Sequence, residues 1–120
     1  AMRILLAEDN EMIRAYLELI LREEGHDVVA TSDGDAAWRV FEEMGRDLDL
    51  VLTDVGMPGV RGDDLVRRVR QTSNVACVLM SGSELLSDVP VVAVLRKPFG
   101  REDLLDAVAK TATGSTESRA

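Results

Sequence analysis

The stretch "DLVLTDVGMPG", residues 49–59, decides the fold of this chain. Its apolar run 50–53 predicts a buried strand, and the carboxylate of Asp54 stands directly at the end of that strand. Glycines and a proline follow at once, which is typical of a loop. A rigid apolar strand that carries an acid to its tip indicates a functional site rather than a packing element.

Four other short apolar runs predict strands, at 3–7, 27–31, 75–80 and 91–95. Apolar residues at helical spacing separate these runs. Because the runs are apolar throughout, we expect a parallel sheet covered on both faces. The chain is therefore predicted to be a doubly wound α/β domain with a five-stranded parallel sheet and helices on both faces. The interval from Ser81 to Lys97 is too short for a full helix and a strand, so the fourth helix is expected to be shortened.

Length and composition restrict the class of protein. A chain of 120 residues is expected to form one domain, here 2–111, with a flexible tail or linker at 112–120. The net charge of −8 argues against nucleic-acid binding, and no apolar run is long enough for a membrane helix. The single cysteine, Cys77, cannot form an internal disulfide, which fits a cytoplasmic location.

Polar residues follow the predicted strands at their carboxyl ends, where open parallel sheets bind ligands. These residues are Glu8, Asp9, Asp54, Ser81 and Lys97. Each has a structural explanation when taken alone, such as a helix cap, a turn or a solvated side chain. Together they are better explained by a bound cation, because clustered carboxylates repel each other and raise each other's pKa.

The residue types at this edge favour phosphoryl chemistry. Carboxylate oxygens at a half-open rim suit Mg²⁺, which takes phosphate as a further ligand. Lys97 and Ser81 supply donors for phosphoryl oxygens. Asp54 is then both a metal ligand and a candidate nucleophile that would form an acyl phosphate.

Four motifs in this order resemble the receiver domains of two-component response regulators, over about residues 2–110. They are the pair Glu8–Asp9, "LTDVGMPGVRG" at 52–62, "MSG" at 80–82 and "KPF" at 97–99. The resemblance implies a flavodoxin-like sheet of order 2-1-3-4-5. It also implies a phosphoacceptor that takes its phosphoryl group from the phosphohistidine of a histidine kinase or histidine phosphotransfer protein, and that catalyses only its own phosphorylation and dephosphorylation.

The resemblance further assigns roles to individual positions. Asp54 is the implied phosphoacceptor. The implied ligands of Mg²⁺ are the side chains of Asp9 and Asp54 and the backbone carbonyl of Gly56, and Glu8 binds the ion through water. Ser81 and Lys97 are implied to contact the phosphoryl group. Receiver domains also imply a cis peptide between Lys97 and Pro98. Val94 departs from the family, which usually has an aromatic switch residue there. The curtailed 81–97 segment predicts a monomer, since it offers too little surface for a stable interface.

Two other classes of function remain open. A phosphohydrolase that works through an aspartyl phosphate often needs a second acid two residues after the nucleophile, and that position is Gly56. A nucleotide- or flavin-binding domain of similar architecture would be expected to carry a glycine-rich phosphate loop, and neither common form of that motif occurs.

Overall fold

The computed structural model describes residues 1–84, 86 and 88–117, with side chains as far as residue 111. Strands and helices alternate along most of the chain. The elements are β1 (Arg3–Ala7), α1 (Glu11–Glu23), β2 (Asp27–Thr31), α2 (Gly34–Met44), a 3-10 turn (Gly45–Asp47), β3 (Leu50–Asp54), α3 (Gly62–Thr72), β4 (Ala76–Ser81), β5 (Ala93–Arg96) and α4 (Arg101–Glu117).

The five strands form one parallel sheet of order β2-β1-β3-β4-β5. This confirms the predicted α/β class, the strand number and the strand order. The first strand pairs with both β2 and β3. The strand order therefore reverses at β1, with β2 on one side of it and β3, β4 and β5 on the other. In open sheets a crevice forms at such a switch point, outside the carboxyl ends of the strands.

Helices cover both faces of the sheet, and alternate residues of β1, β3 and β4 enter two separate cores. On one face α1 and α4 pack against β1 and β3 through residues such as Leu17, Leu104, Leu6 and Leu52. On the other face α2 and α3 pack through Phe41, Leu65, Val51 and Cys77. Because every residue of β3 is buried, this central strand is a rigid support for the acid at its end.

Side-chain caps set where the first two helices begin. The Asn10 Oδ1 atom accepts a hydrogen bond of 2.9 Å from the Ile13 N–H at the start of α1. Asp33 Oδ1 accepts one of 2.7 Å from the Ala36 N–H at the start of α2. Since Asn10 serves as the cap of α1, the neighbouring Asp9 is left to another role.

The segment between β4 and β5 departs from the sequence prediction in two ways. Its described residues, 82–84, 86 and 88–92, contain no helix, whereas a shortened one was expected. Leu85 and Ser87 lie outside the described residues. Strand β5 is also less buried than predicted, with Val94 40% exposed, because it is the edge strand and these described residues place no helix over it.

The carboxyl-terminal helix α4 runs to Glu117, past the predicted boundary at residue 111. The backbone of 112–117 is therefore helical, and the division into domain and tail stays a prediction. Within the described part of the chain, no helix combines the length and hydrophobicity that crossing a membrane requires. The predicted cis peptide between Lys97 and Pro98 is confirmed.

Candidate functional site

The carboxyl ends of β1, β3 and β4 bring the predicted site residues to one edge of the sheet. Asp54, the last residue of β3, lies opposite Met80 of β4 in the strand register. Glu8 follows β1 directly, and its N–H donates to the Thr31 carbonyl at 3.1 Å. The Lys97 N–H donates to the Ser81 carbonyl at 2.8 Å, which ties the end of β5 to the end of β4.

Three carboxylates lie close together at this edge. One oxygen from each of Glu8, Asp9 and Asp54 lies within 4.8 Å of the others. Glu8 is fully buried and Asp54 is 4% exposed, whereas Asp9 is exposed. The three acids that were predicted to meet therefore do meet, and they form a rim that opens to solvent on the side of Asp9.

The Lys97 ammonium lies between the two buried acids. Its Nζ atom donates to Asp54 Oδ2 at 3.0 Å and to Glu8 Oε1 at 3.3 Å. The purely solvated role that was considered for this lysine does not apply. One ammonium beside three carboxylates still leaves a local excess of negative charge.

Burial and charge shift the pKa values of these groups in the expected directions. Desolvation raises the pKa of the Glu8 carboxyl, and the nearby Asp54 charge adds to this effect, against the hydrogen bond from the Asn10 N–H. Burial alone would lower the pKa of the Lys97 ammonium, but its contacts with Asp54 and Glu8 outweigh burial and raise it. The ammonium therefore stays charged beside the acids at neutral pH.

This donor set fits a hard divalent cation. Carboxylate oxygens at a partly open rim are the ligands that such cations take, while the open side leaves room for water or a further ligand. A bound cation would also offset the excess charge that a single ammonium leaves. The structure thus presents an acidic cluster that could hold a metal ion.

Ser81 is fully buried and has a partner that sequence reasoning missed. Its Oγ atom donates to Glu84 Oε1 at 3.3 Å, and the Gly82 N–H donates to the same oxygen at 2.8 Å. The predicted hydroxyl is thus at the edge of the site, but it is already engaged by a carboxylate. The only sequence signal for this contact was an acid three residues beyond Ser81 in a loop.

The loop after Asp54 packs tightly against the end of β3. The Gly62 N–H donates to the Val55 carbonyl at 2.8 Å, and a Cβ at Gly62 would lie 1.8 Å from the Asp54 carbonyl oxygen. Any side chain at this position would therefore force the loop away from the strand. Gly59 adopts a φ of +76°, which glycine tolerates best. Close backbone packing thus holds Asp54 at the rim.

The fold and the acidic edge of the sheet can be compared with those of known protein families. Residues 4–109 match the family described as response regulator receiver domain, and the chain therefore belongs to that family. Receiver domains are parts of two-component signalling systems, in which phosphotransfer to aspartate is characteristic. The resemblance noted in the sequence is confirmed.

Individual relatives agree with this assignment. The transcriptional regulatory protein AfsQ1 of Streptomyces coelicolor is 34% identical over 92 residues, which cover 77% of this chain and 39% of that protein. The CAI-1 autoinducer sensor kinase/phosphatase CqsS of Vibrio cholerae is 30% identical, over 89% of this chain and 17% of its own length. The chain thus spans less than half the length of these curated relatives.

A solved structure extends the agreement to three dimensions. The response regulator receiver domain protein from Clostridium thermocellum superposes with a TM-score of 0.89 at 25% identity. The match covers 97% of this chain and 98% of that one. The likeness therefore spans the whole domain and not a shared core alone.

Proposed function

We propose that Asp54 is the phosphoacceptor of this receiver domain and takes its phosphoryl group from a phosphohistidine. One observation carries the proposal. The Asp54 carboxylate ends a fully buried strand, lies within 4.8 Å of two other acids, and accepts a hydrogen bond of 3.0 Å from Lys97. The buried strand positions the Asp54 nucleophile, and the Lys97 ammonium offsets part of the negative charge around it.

In the proposed transfer, a carboxylate oxygen of Asp54 attacks the phosphorus of the phosphohistidine. The new O–P bond forms as the P–N bond breaks, and the electron pair of that bond stays on the imidazole nitrogen, which takes up a proton from solvent. Water later attacks the same phosphorus, which releases inorganic phosphate and restores the carboxylate. Positioning and charge neutralisation, rather than acid–base work by other side chains, account for most of such catalysis.

Asp9 and Asp54 would hold Mg²⁺ by their carboxylates, with the Gly56 carbonyl and a water on Glu8 as further ligands. The ion would supply charge neutralisation for the incoming phosphoryl oxygens. The closely spaced acids support this assignment, because their excess charge and oxygen donors suit a hard cation.

Lys97 and Ser81 would contact the phosphoryl group once it is on Asp54. The Lys97 ammonium already lies 3.0 Å from the Asp54 carboxylate, so a phosphoryl oxygen there would come within its reach. The Ser81 hydroxyl is on the neighbouring strand, at the same edge of the sheet. These two donors would stabilise the phosphorylated state.

The proposed partner is a histidine kinase or a histidine phosphotransfer protein. Receiver domains act with such proteins, and one relative is itself a sensor kinase. We expect the domain to act in the cytoplasm as a monomeric switch, to bind no nucleic acid itself, and to catalyse only its own phosphorylation and dephosphorylation. Gly56 supports the last point, because it cannot act as the second acid of a phosphohydrolase.

Acetyl phosphate labelling tests the proposed nucleophile. With Mg²⁺ present, intact-mass measurements should show one phosphoryl group on the wild type and none on Asp54→Asn. Asp106→Asn is the matched control, because Asp106 is an exposed acid on α4 and should be labelled like the wild type. Labelling of Asp54→Asn at the wild-type rate would exclude Asp54 as the acceptor.

A colourimetric phosphatase assay on a small phosphate ester separates the switch from the phosphohydrolase. The switch predicts no sustained turnover by the wild type above the Asp54→Asn background. Sustained turnover that depends on Asp54 would favour the enzyme instead.

A further inference from the structure

The Glu84 carboxylate engages two donors at the edge of the site. Its Oε1 atom accepts from the Ser81 hydroxyl at 3.3 Å and from the Gly82 N–H at 2.8 Å. Hydrogen bonds from the backbone N–H groups of Glu84 and Gly82 lower the pKa of this carboxyl, so it is an anion at neutral pH. An internal anion therefore already satisfies a neighbouring hydroxyl and amide.

These donors suit a phosphoryl oxygen equally well. A hydroxyl and an adjacent N–H that converge on one carboxylate oxygen can converge on one phosphoryl oxygen in the same way. Ser81 ends β4, the strand that pairs with β3, and Asp54 ends β3. A phosphoryl group on Asp54 and the Glu84 carboxylate would thus be two anions that compete for the same donors.

Gly56, two residues after Asp54, leaves room for the Glu84 carboxylate. A Cβ at Gly56 would lie 2.9 Å from Glu84 Oε2, which is too close for an undisturbed contact. The carboxylate therefore reaches over the backbone at Gly56, where most side chains would push it away. The missing side chain at Gly56 thus provides the space that the Glu84 carboxylate occupies, a contact that the sequence motifs alone do not reveal.

We propose that Glu84 is an autoinhibitory anion that occupies the Ser81 and Gly82 donors in the unphosphorylated domain and must leave them for the phosphorylated state to form. This inference rests on the proposed function of Asp54. The displaced carboxylate also carries a charge of the same sign as the incoming phosphoryl group. Glu84 therefore opposes phosphorylation both by holding the donors and by repulsion.

Beryllofluoride with Mg²⁺ tests the competition at equilibrium, because this anion imitates a phosphoryl group on a carboxylate without a covalent step. We expect Glu84→Ala to bind it about tenfold more tightly than the wild type, which corresponds to about 1.4 kcal/mol and is modest for a hydrogen bond to a charged group. Glu84→Gln keeps an acceptor oxygen but loses the charge, so its affinity should lie between the two. Glu43→Ala, an exposed acid on α2, is the matched control and should bind like the wild type.

A second measurement follows the donors themselves. In nuclear magnetic resonance spectra without beryllofluoride, the Gly82 amide signal should move on Glu84→Ala, since its acceptor is gone. Addition of beryllofluoride should then move it again in the wild type and in Glu84→Ala. A Gly82 signal that is indifferent to Glu84→Ala would overturn the contact, and thermal melts of the variants would establish that each is folded.

The outcomes separate this inference from the proposed function. If the wild type binds beryllofluoride and Glu84→Ala binds it with equal or lower affinity, Glu84 does not compete, while the role of Asp54 stands. A longer phosphoryl lifetime in Glu84→Ala at unchanged beryllofluoride affinity would likewise overturn competition and make Glu84 a group that promotes hydrolysis. If neither protein binds the anion or is labelled by acetyl phosphate, the proposed function itself fails.

Discussion

Replacing Asp54 by asparagine should stabilise the metal-free domain. At 4.8 Å and an effective dielectric constant of about 20, two carboxylates repel by about 3.5 kcal/mol. Asp54 feels two such neighbours, while its attraction to Lys97 at 3.0 Å is about 5.5 kcal/mol on the same scale. Solvent screens the attraction to the partly exposed Lys97 as well as the repulsion from the exposed Asp9, while the repulsion from the buried Glu8 is screened least. We therefore expect a net gain of about 1 kcal/mol for Asp54→Asn.

Magnesium should stabilise the wild type much more than this variant. The unfolded chain has no preformed site, so the ion binds the native state selectively. At a free concentration of 100 times its dissociation constant, it adds about 2.7 kcal/mol to the free energy of unfolding. For a domain of this size that is a rise in melting temperature of about 10 °C. Asp54→Asn and Asp9→Asn should show a smaller rise, because each loses a ligand charge.

Thermal melts across a Mg²⁺ series measure both effects. Asp106→Asn makes the same substitution on the exposed face of α4 and should keep the full wild-type response. A wild type whose melting temperature does not respond to Mg²⁺ would refute the metal site. A metal-free Asp54→Asn that melts well below the wild type would refute the charge argument, since attraction to Lys97 would then exceed the repulsion.

Three further outcomes are expected. Lys97→Ala should keep its Mg²⁺-dependent rise in melting temperature but bind beryllofluoride at least tenfold more weakly; equal binding would contradict the phosphoryl role of Lys97. Light scattering should report a monomer with and without Mg²⁺ and beryllofluoride, because the 81–97 face is small; a dimer that depends on the anion would contradict this. Burial would raise the pKa of the Asp63 carboxyl, but the ion pair with Arg61 outweighs burial and holds this pKa below its usual range. The stability that this shift contributes is therefore full above about pH 4 and is lost as the pH falls through the folded-state pKa. In urea melts, the free energies of unfolding of wild type and Asp63→Asn should therefore converge in acid. A difference between them that does not change with pH would contradict the ion pair.

The sequence alone determined the architecture and the position of the acids. Unbroken apolar runs between helical patterns are enough to predict a parallel sheet, and carboxyl ends of parallel strands meet at one edge by geometry. Glu8 and Lys97 each follow a strand directly, and Asp54 and Ser81 each end one. Their meeting could therefore be predicted from strand ends alone. The local apolar pattern is enough to predict this meeting, because it locates the end of each strand and the parallel sheet places all of those ends at one edge.

Only the tertiary structure decided what the loop side chains contact. The engagement of Ser81 by Glu84 depends on the backbone course of the loop after β4. The space for this carboxylate above Gly56 depends on how that loop approaches the loop after β3. The exposure of Val94 likewise follows from what does or does not cover an edge strand. Such contacts join residues that no periodic pattern relates, and loop backbones have no repeating geometry from which to predict them. The partner of a loop side chain is therefore settled by packing of the whole domain, whereas the residue at a strand end is settled by the strand.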